Sequence, residues 1–387
     1  MSQPIRVLHL FGLLTESGGA ENWVLRMARL RDERVRFDFL LSVDDGPLVK
    51  EMRQTGSRIH FVPFSQSPAP WSFANAYLSG VRRVVQQERY DVIHAHQFDL
   101  AGEVLRIADQ ENVPGRLFSV HATEYENKRM HRRLAYHCFG KPWILRHATS
   151  ILPCSRAAGQ AFSPRFERND PKFEVVYYGI DTKPFEHLCA QQSGREKIAV
   201  DLRHELGIPE HARIIGHVGR FARQKNHLFL IALLAELMRD DTDLYAVLVG
   251  HGELWEPIRR LVLEKGLENR IMMPGIRGDV PLLLASLFDL LLLPSFYEGF
   301  PIISIEAMAT GLPVVFSDRV TDELAAFFPG RTARVSLDAP MSLWCETVHS
   351  LLGKRLPPPT ALRQIETSPF TDRASLDHLV TIYNRTQ

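Results

Sequence analysis

Short apolar runs recur along this chain, separated by amphipathic stretches of helical length. Residues 7–11, 35–41, 59–64, 92–96, 117–121, 151–154 and 175–178 read as strands, and 22–30 and 74–87 as helices between them. Continuous apolar runs mean strands buried on both faces, and strands separated by helices pair in parallel. Such a chain folds as α/β layers around a parallel sheet. The rhythm stops over a polar stretch, 184–211, and restarts with strands at 214–218, 244–249, 270–273, 290–293, 314–316 and 333–336. A tail helix is expected over 372–383, after a proline-rich loop at 357–359. At roughly 100–200 residues per domain, 387 residues make two domains. Two doubly wound, Rossmann-like domains are expected at 1–185 and 186–370, facing a cleft, with the C-terminal helix in 371–387.

Composition narrows the setting. The chain is 45% hydrophobic and 24% charged, as soluble globular proteins are. That excludes a largely disordered chain, a collagen-like one and a disulfide scaffold. The net charge of +1 gives no bulk electrostatic reason to bind nucleic acid, and no such partner is expected. Cys138, Cys154, Cys189 and Cys345 show no CxxC spacing and fit reduced thiols. No signal-peptide pattern opens the chain, and no uncharged run reaches the ~18 apolar residues of a membrane span. A cytoplasmic location is expected, with any membrane contact peripheral.

Open parallel sheets bind ligands at the carboxyl ends of their strands, which sorts the candidates. Gly18-Gly19-Ala20-Glu21 follows the first strand and opens a helix. Glycine there admits close backbone approach, although the same residues read equally as a turn with a first-turn acid. Arg220 and Lys225 follow the first strand of the second domain. A guanidinium fork and an ammonium five residues apart can clamp two linked phosphates; otherwise they are a solvated basic loop. Glu298-Gly299-Phe300-Pro301-Ile302 follows the strand at 290–293. Pro301 suits a first helical turn and Gly311 a helix stop, so Gly299 to Ile302 offer N–H groups to an anion. Glu306 then falls on an apolar helical stretch, where a buried carboxylate needs a partner such as a ligand hydroxyl. His94, His96 and His121 lie at or near the carboxyl ends of two strands, as sugar-binding or acid–base groups or as satisfied core histidines. Asp241-Thr242-Asp243 has a cation-binding spacing but precedes its strand, at the wrong end of the sheet, so no metal is expected there.

Taken together, Gly219-Arg220, Lys225-Asn226, Gly250-His251-Gly252-Glu253, Pro274-Gly275 and the E-x7-E segment from Glu298 to Glu306 resemble the family-4 glycosyltransferases of GT-B fold. Asp38-Phe39-Leu40, His94-Ala95-His96 and Trp344 resemble those of exopolysaccharide and capsule assembly. The resemblance implies a first domain that binds the acceptor and a second that binds a nucleotide-diphosphate sugar. It implies that Arg220 and Lys225 hold the diphosphate and that Glu306 binds the ribose. Glu298 and the backbone of Gly299, Phe300, Pro301 and Ile302 would meet the donor sugar and phosphates, Ile276 the base through its backbone, Gly19 the donor, and His121 the transferred sugar. It implies retention of anomeric configuration, no metal and no cofactor. Tyr178 stands where asparagine is common in the family, and His251 where an acid is usual.

Residues 128–147 carry Lys128, Arg129, Arg132, Arg133, Lys141 and Arg146 with no acid, beside Leu134, Tyr136, Phe139, Trp143 and Ile144. Such a stretch suits an anionic bilayer and a lipid-linked acceptor, or else a core-packing helix with a solvated basic face. The alternatives for the whole chain are a sugar-nucleotide epimerase of the same fold and a non-catalytic sugar-nucleotide binder. Arg220→Ala and Lys225→Ala are both expected to cut turnover while leaving folding intact.

Overall fold

A computed structural model describes residues 3–11, 19–63, 70–96, 100–124, 130–190 and 192–386. The chain divides into two compact units, Met1–Gly179 with Asp372–Gln387, and Ile180–Thr371.

The first unit is built on β1 (Ile5–Leu10), β2 (Val35–Leu41), β3 (Ile59–Phe61), β4 (Val92–Ala95), β5 (Gly115–Val120) and β6 (Ser150–Pro153). They form one parallel sheet in the order β3-β2-β1-β4-β5-β6. The second holds β7 (Arg213–Val218), β8 (Leu244–Val249), β9 (Ile271–Gly275), β10 (Leu290–Leu293), β11 (Val314–Ser317) and β12 (Thr332–Val335). Its order, β12-β11-β10-β7-β8-β9, is the same winding repeated, again all parallel. Both are the Rossmann arrangement, in which strand order reverses between the first and fourth strands and leaves a crevice there. The β1/β4 and β7/β10 neighbours are therefore where each unit can take a ligand.

The apolar runs behave as burial on both faces requires. Leu290, Leu291, Leu292 and Leu293 are all fully buried. Trp344 is core as well: it packs on Phe229 and gives its N–H to Ser336 O at 2.9 Å. Asp38, buried in β2, accepts from the Tyr90 hydroxyl at 3.0 Å and the Arg58 N–H at 2.9 Å.

One expectation changes and one open stretch is filled. The polar stretch at 184–211, where the strand rhythm stops, is mostly helix, Lys183–Ala190 and Gln192–Leu206. Its Gln, Arg, Glu, Lys, Ala and Leu residues are strong helix formers, and burying Phe185, Cys189 and Leu202 suffices to anchor it. Residues 175–178 are extended but join no ladder. Phe173 makes one parallel bridge with Ile151, and Val176 N–H reaches Pro153 O at 3.0 Å. The chain then turns away, and Tyr178 stacks on Trp23, ring centroids 4.5 Å apart.

The tail helix, Asp372–Arg385, completes the first unit. Arg26 holds Asp372 at 3.1 Å, Ser375 gives its hydroxyl proton to Tyr177 O at 2.6 Å, and the Tyr383 hydroxyl meets His94 Nδ1 at 2.9 Å.

Candidate active site

In the second unit, two loops meet across the β7/β10 crevice. After β7 the chain makes a short 3₁₀ turn, Arg223–Lys225, ended by Asn226 in the left-handed region at φ 55°. Asparagine tolerates that conformation, and helix His227–Asp240 starts from it. After β10 the chain runs through Ser295 and Glu298 to helix Ile302–Ala309. The loops are joined by Phe296 N–H to Gln224 O at 2.8 Å and by Gln224 Nε2 to Tyr297 O at 3.1 Å.

At the centre, Lys225 Nζ lies 2.6 Å from Glu298 Oε1, with the side chains only 13% and 7% exposed. Ser295 Oγ donates to the same Oε1 at 2.7 Å and Gln224 Nε2 to Oε2 at 3.1 Å. Three donors, one of them charged, hold the carboxylate, so Glu298 fixes the ammonium in place. The Lys225 stem folds back over Gly219, where an added Cβ would sit 2.9 Å from Lys225 Cε. Arg220 is placed differently. It is 61% exposed and pairs with the 54% exposed Glu253 at 3.2 Å.

The glycines after β8 are required sterically. A Cβ on Gly250 would lie 2.0 Å from Gly219 O, and one on Gly252 2.5 Å from Phe221 O. Gly250 also has φ +131°. These contacts press the β7 and β8 loops backbone to backbone beneath Arg220.

Pro301 sits one residue earlier than expected. It is the residue before the helix, with φ −77° and ψ 94°, and Ile302 is the first helical residue. Gly299, Phe300 and Pro301 are buried, while Ile302 and Glu306 are half-buried. Gly311 ends the segment at φ +80°. Ile276, just past the turn at Gly275, is 80% exposed. Gly19 opens helix Gly19–Arg29 of the first unit. Gly18 lies outside the described residues, as do Lys128 and Arg129. Asp241 pairs with Arg213 at 2.5 Å, at the amino end of β8.

In the first unit, sequence reasoning missed a continuous array. His9 lies on β1, within the apolar run at 7–11. Its Nδ1 lies 2.9 Å from His96 Nε2, His96 Nδ1 lies 3.0 Å from His121 Nε2, and His121 Nδ1 contacts the Tyr178 hydroxyl. The array crosses the β1/β4 crevice. A period-two reading finds the pair His94 and His96, but joining them to His9 and His121 requires the strand register His9↔His94. Burial pushes His9 and His121 down to about 3 and holds His94 and His96 well below the ordinary imidazole range. All four are neutral rings at neutral pH. His121 therefore offers hydrogen bonds rather than a proton, and both of its nitrogens are engaged. His94 is a satisfied core residue, bonded to Tyr383 and to Ser119 Oγ at 2.8 Å.

The nitrogens of His9, His94 and His96 approach one another closely enough to hold a metal ion, within 4.8 Å. The hydrogen bonds just described occupy every one of those nitrogens except His9 Nε2. A cation would have to displace them.

Comparison with known proteins follows the same division of the chain. The model of the Glycosyltransferase Family 4 matches residues 17–184, and that of the Glycosyl transferases group 1 matches 200–324. "Putative glycosyltransferase EpsF" of Bacillus subtilis is 29% identical over 384 residues, covering 98% of this chain and 96% of that protein. The "UDP-Gal:alpha-D-GlcNAc-diphosphoundecaprenol alpha-1,3-galactosyltransferase" of Escherichia coli is 28% identical over 293 residues, covering 73% of this chain and 72% of that one. The crystal structure of Anabaena Alr3699/HepE in complex with UDP superposes with a TM-score of 0.78 at 19% identity, covering 98% and 100% of the two chains. With one family model on each parallel sheet and a relative matched nearly end to end, this chain belongs to the family-4 glycosyltransferases of GT-B fold.

Proposed function

We propose that the chain moves a sugar from a UDP- or GDP-linked donor to a glycan or lipid-linked acceptor, with retention, in exopolysaccharide, capsule or lipopolysaccharide assembly. The observation that carries this reading is the Lys225–Glu298 pair across the β7/β10 crevice. Breaking the anomeric C–O bond sends its electron pair to the diphosphate. That added charge needs preorganised cations and donors where it develops. Lys225, fixed by Glu298, and Arg220, free to swing from its solvent-exposed partner, supply them. The N–H groups at the start of helix Ile302–Ala309 add a dipole end of the right sign.

Glu298 acts by positioning Lys225, and Glu306 serves the ribose hydroxyls. Ile276 meets the base and Gly19 the donor. His121 is a neutral hydrogen-bond partner for the transferred sugar, and the Tyr178 hydroxyl is the group a ligand hydroxyl would displace. The acceptor hydroxyl attacks on the face the diphosphate leaves and passes its proton to a departing phosphate oxygen. No metal takes part in these steps. The first unit holds the acceptor and the second the donor. The exposed Met130, Leu134 and Phe139, on the basic segment, support contact with an anionic membrane.

Incubating the chain with a panel of UDP- and GDP-sugars and a lipid-linked glycan acceptor, with and without EDTA, tests this. Transfer unaffected by EDTA, with the donor's anomeric configuration kept in the NMR coupling of the product, is expected. An inverted product, or an isomerised sugar nucleotide without transfer, would contradict it.

A further inference from the structure

A cavity of about 370 Å³ opens beside the carboxyl end of β5 in the first unit, and the reading above gives it no role. Its lining includes Thr123, Glu124, Arg133, His137, Lys141 and Phe162. Arg133, His137 and Lys141 recur every fourth residue along one continuous helical segment, Met130–Ala135, Tyr136–Gly140 and Lys141–His147. The middle turn is a π-helix, closed by Lys141 N–H to Tyr136 O. Such single π turns are frequent at functional sites. Pro142 lacks the N–H for the next rung, which favours the slipped register. The turn is also held from behind, since a Cβ on Gly102 would lie 2.3 Å from Gly140 O.

The chemistry of the lining is that of an anion site. Lys141 Nζ stands 5.3 Å over the Phe162 ring, and burial lowers its affinity for the proton. Among the described residues no carboxylate comes within ion-pair distance of Lys141 or Arg133. The Thr123 hydroxyl is buried with no hydrogen-bond partner among the described residues. Glu124 is exposed at the rim and is the opposing charge. Two cations and a hydroxyl in one concavity, without partners among the described residues, are what a phosphate group satisfies, the guanidinium as a fork and the ammonium as a point charge. The same segment exposes Met130, Leu134 and Phe139, apolar side chains next in chain to the cationic ones.

We propose that this cavity binds the diphosphate of a lipid-linked acceptor, with Arg133, Lys141 and Thr123 on the phosphates and Met130, Leu134 and Phe139 along the lipid chain. The proposal rests on the transferase reading and names how its acceptor is held.

Farnesyl diphosphate, inorganic pyrophosphate and phosphatidylglycerol vesicles are the probes, used with the full chain and its Arg133→Gln, Lys141→Gln, Thr123→Val and Lys225→Ala variants. Farnesyl diphosphate should bind the parent and Lys225→Ala alike, and each of the other three at least about tenfold more weakly. Pyrophosphate should bind more weakly, and its binding should fall in these three variants and in Lys225→Ala as well, since the donor site takes a diphosphate too. Thr123→Val keeps the side chain's shape and decides the matter should a charge variant melt early. Equal farnesyl diphosphate binding by parent and Thr123→Val, or its loss with Lys225→Ala instead, would overturn the site. So would vesicles without prenyl diphosphate that reproduce the Arg133 and Thr123 dependence, since the cavity would then read ordinary headgroups. UDP binding, measured on the same samples, separates the two ideas: farnesyl diphosphate bound without UDP refutes the donor reading and leaves the cavity assigned.

Discussion

Lys225 and Glu298 form an ion pair that bridges the loops after β7 and β10, and both side chains are nearly buried. Removing one partner of such a pair strands the other charge, at a cost of about 3–5 kcal/mol. The expectation that Lys225→Ala leaves folding untouched is therefore revised. Lys225→Ala should lose about 3–5 kcal/mol in urea denaturation and also lower kcat/KM about 100- to 1000-fold. A variant that melts like the parent would show that the pair does not anchor these loops.

Arg220→Ala separates the two effects. The Arg220–Glu253 pair is solvent-exposed, and such pairs contribute about 0–1 kcal/mol. Its denaturation midpoint should match the parent's while turnover falls about 100- to 1000-fold. More than half the parent's rate would remove Arg220 from the diphosphate site.

The histidine array gives stability a pH dependence whose sign is fixed. His9 and His121 titrate near 3 when folded and near the ordinary 6.5 when unfolded. Between those values the unfolded chain binds more protons, so stability is complete above about pH 6.5 and drains away as pH falls toward 3. His9→Phe, placed between Phe37 and Phe39, should flatten the melting-temperature profile between pH 7 and 4 by about one histidine's share. An unchanged slope would mean that His9 is not held neutral.

Much of this was legible in the residues. The runs at 244–249 and 290–293 match β8 and β10 end to end, because strands buried on both faces are continuously apolar, and the run at 35–41 matches β2 although Arg36 and the buried Asp38 interrupt it. The sequence also places Arg220, Lys225 and Glu298 on the correct strand ends. It does not place them against one another, since that depends on which strands are neighbours. His9 stayed hidden for the same reason. Helix Gln192–Leu206 was hidden by its polarity, and the run at 175–178 misled because an apolar extended segment can pack on Trp23 without entering a sheet.

Gly250→Ala tests the loop platform. Its Cβ would collide with Gly219 O, whereas at Gly266, also at positive φ, nothing lies within 4 Å. Gly266→Ala should cost about 1–2 kcal/mol of stability, the cost of a Cβ in the left-handed region, with UDP affinity unchanged. Gly250→Ala should cost clearly more and weaken UDP binding, read by calorimetry. Equal behaviour of the two variants would show that the close approach has no bearing on the donor.

The most direct measurement is a thermal-shift titration of the parent and Arg220→Ala with UDP, GDP and their sugar conjugates. A ligand that binds only the folded state at 100 times its Kd stabilises it by about 2.7 kcal/mol. UDP or GDP should raise the parent's melting temperature, with a much smaller rise in Arg220→Ala. No shift with any nucleotide diphosphate, or the same shift in both proteins, would contradict a diphosphate seated at Arg220 and Lys225.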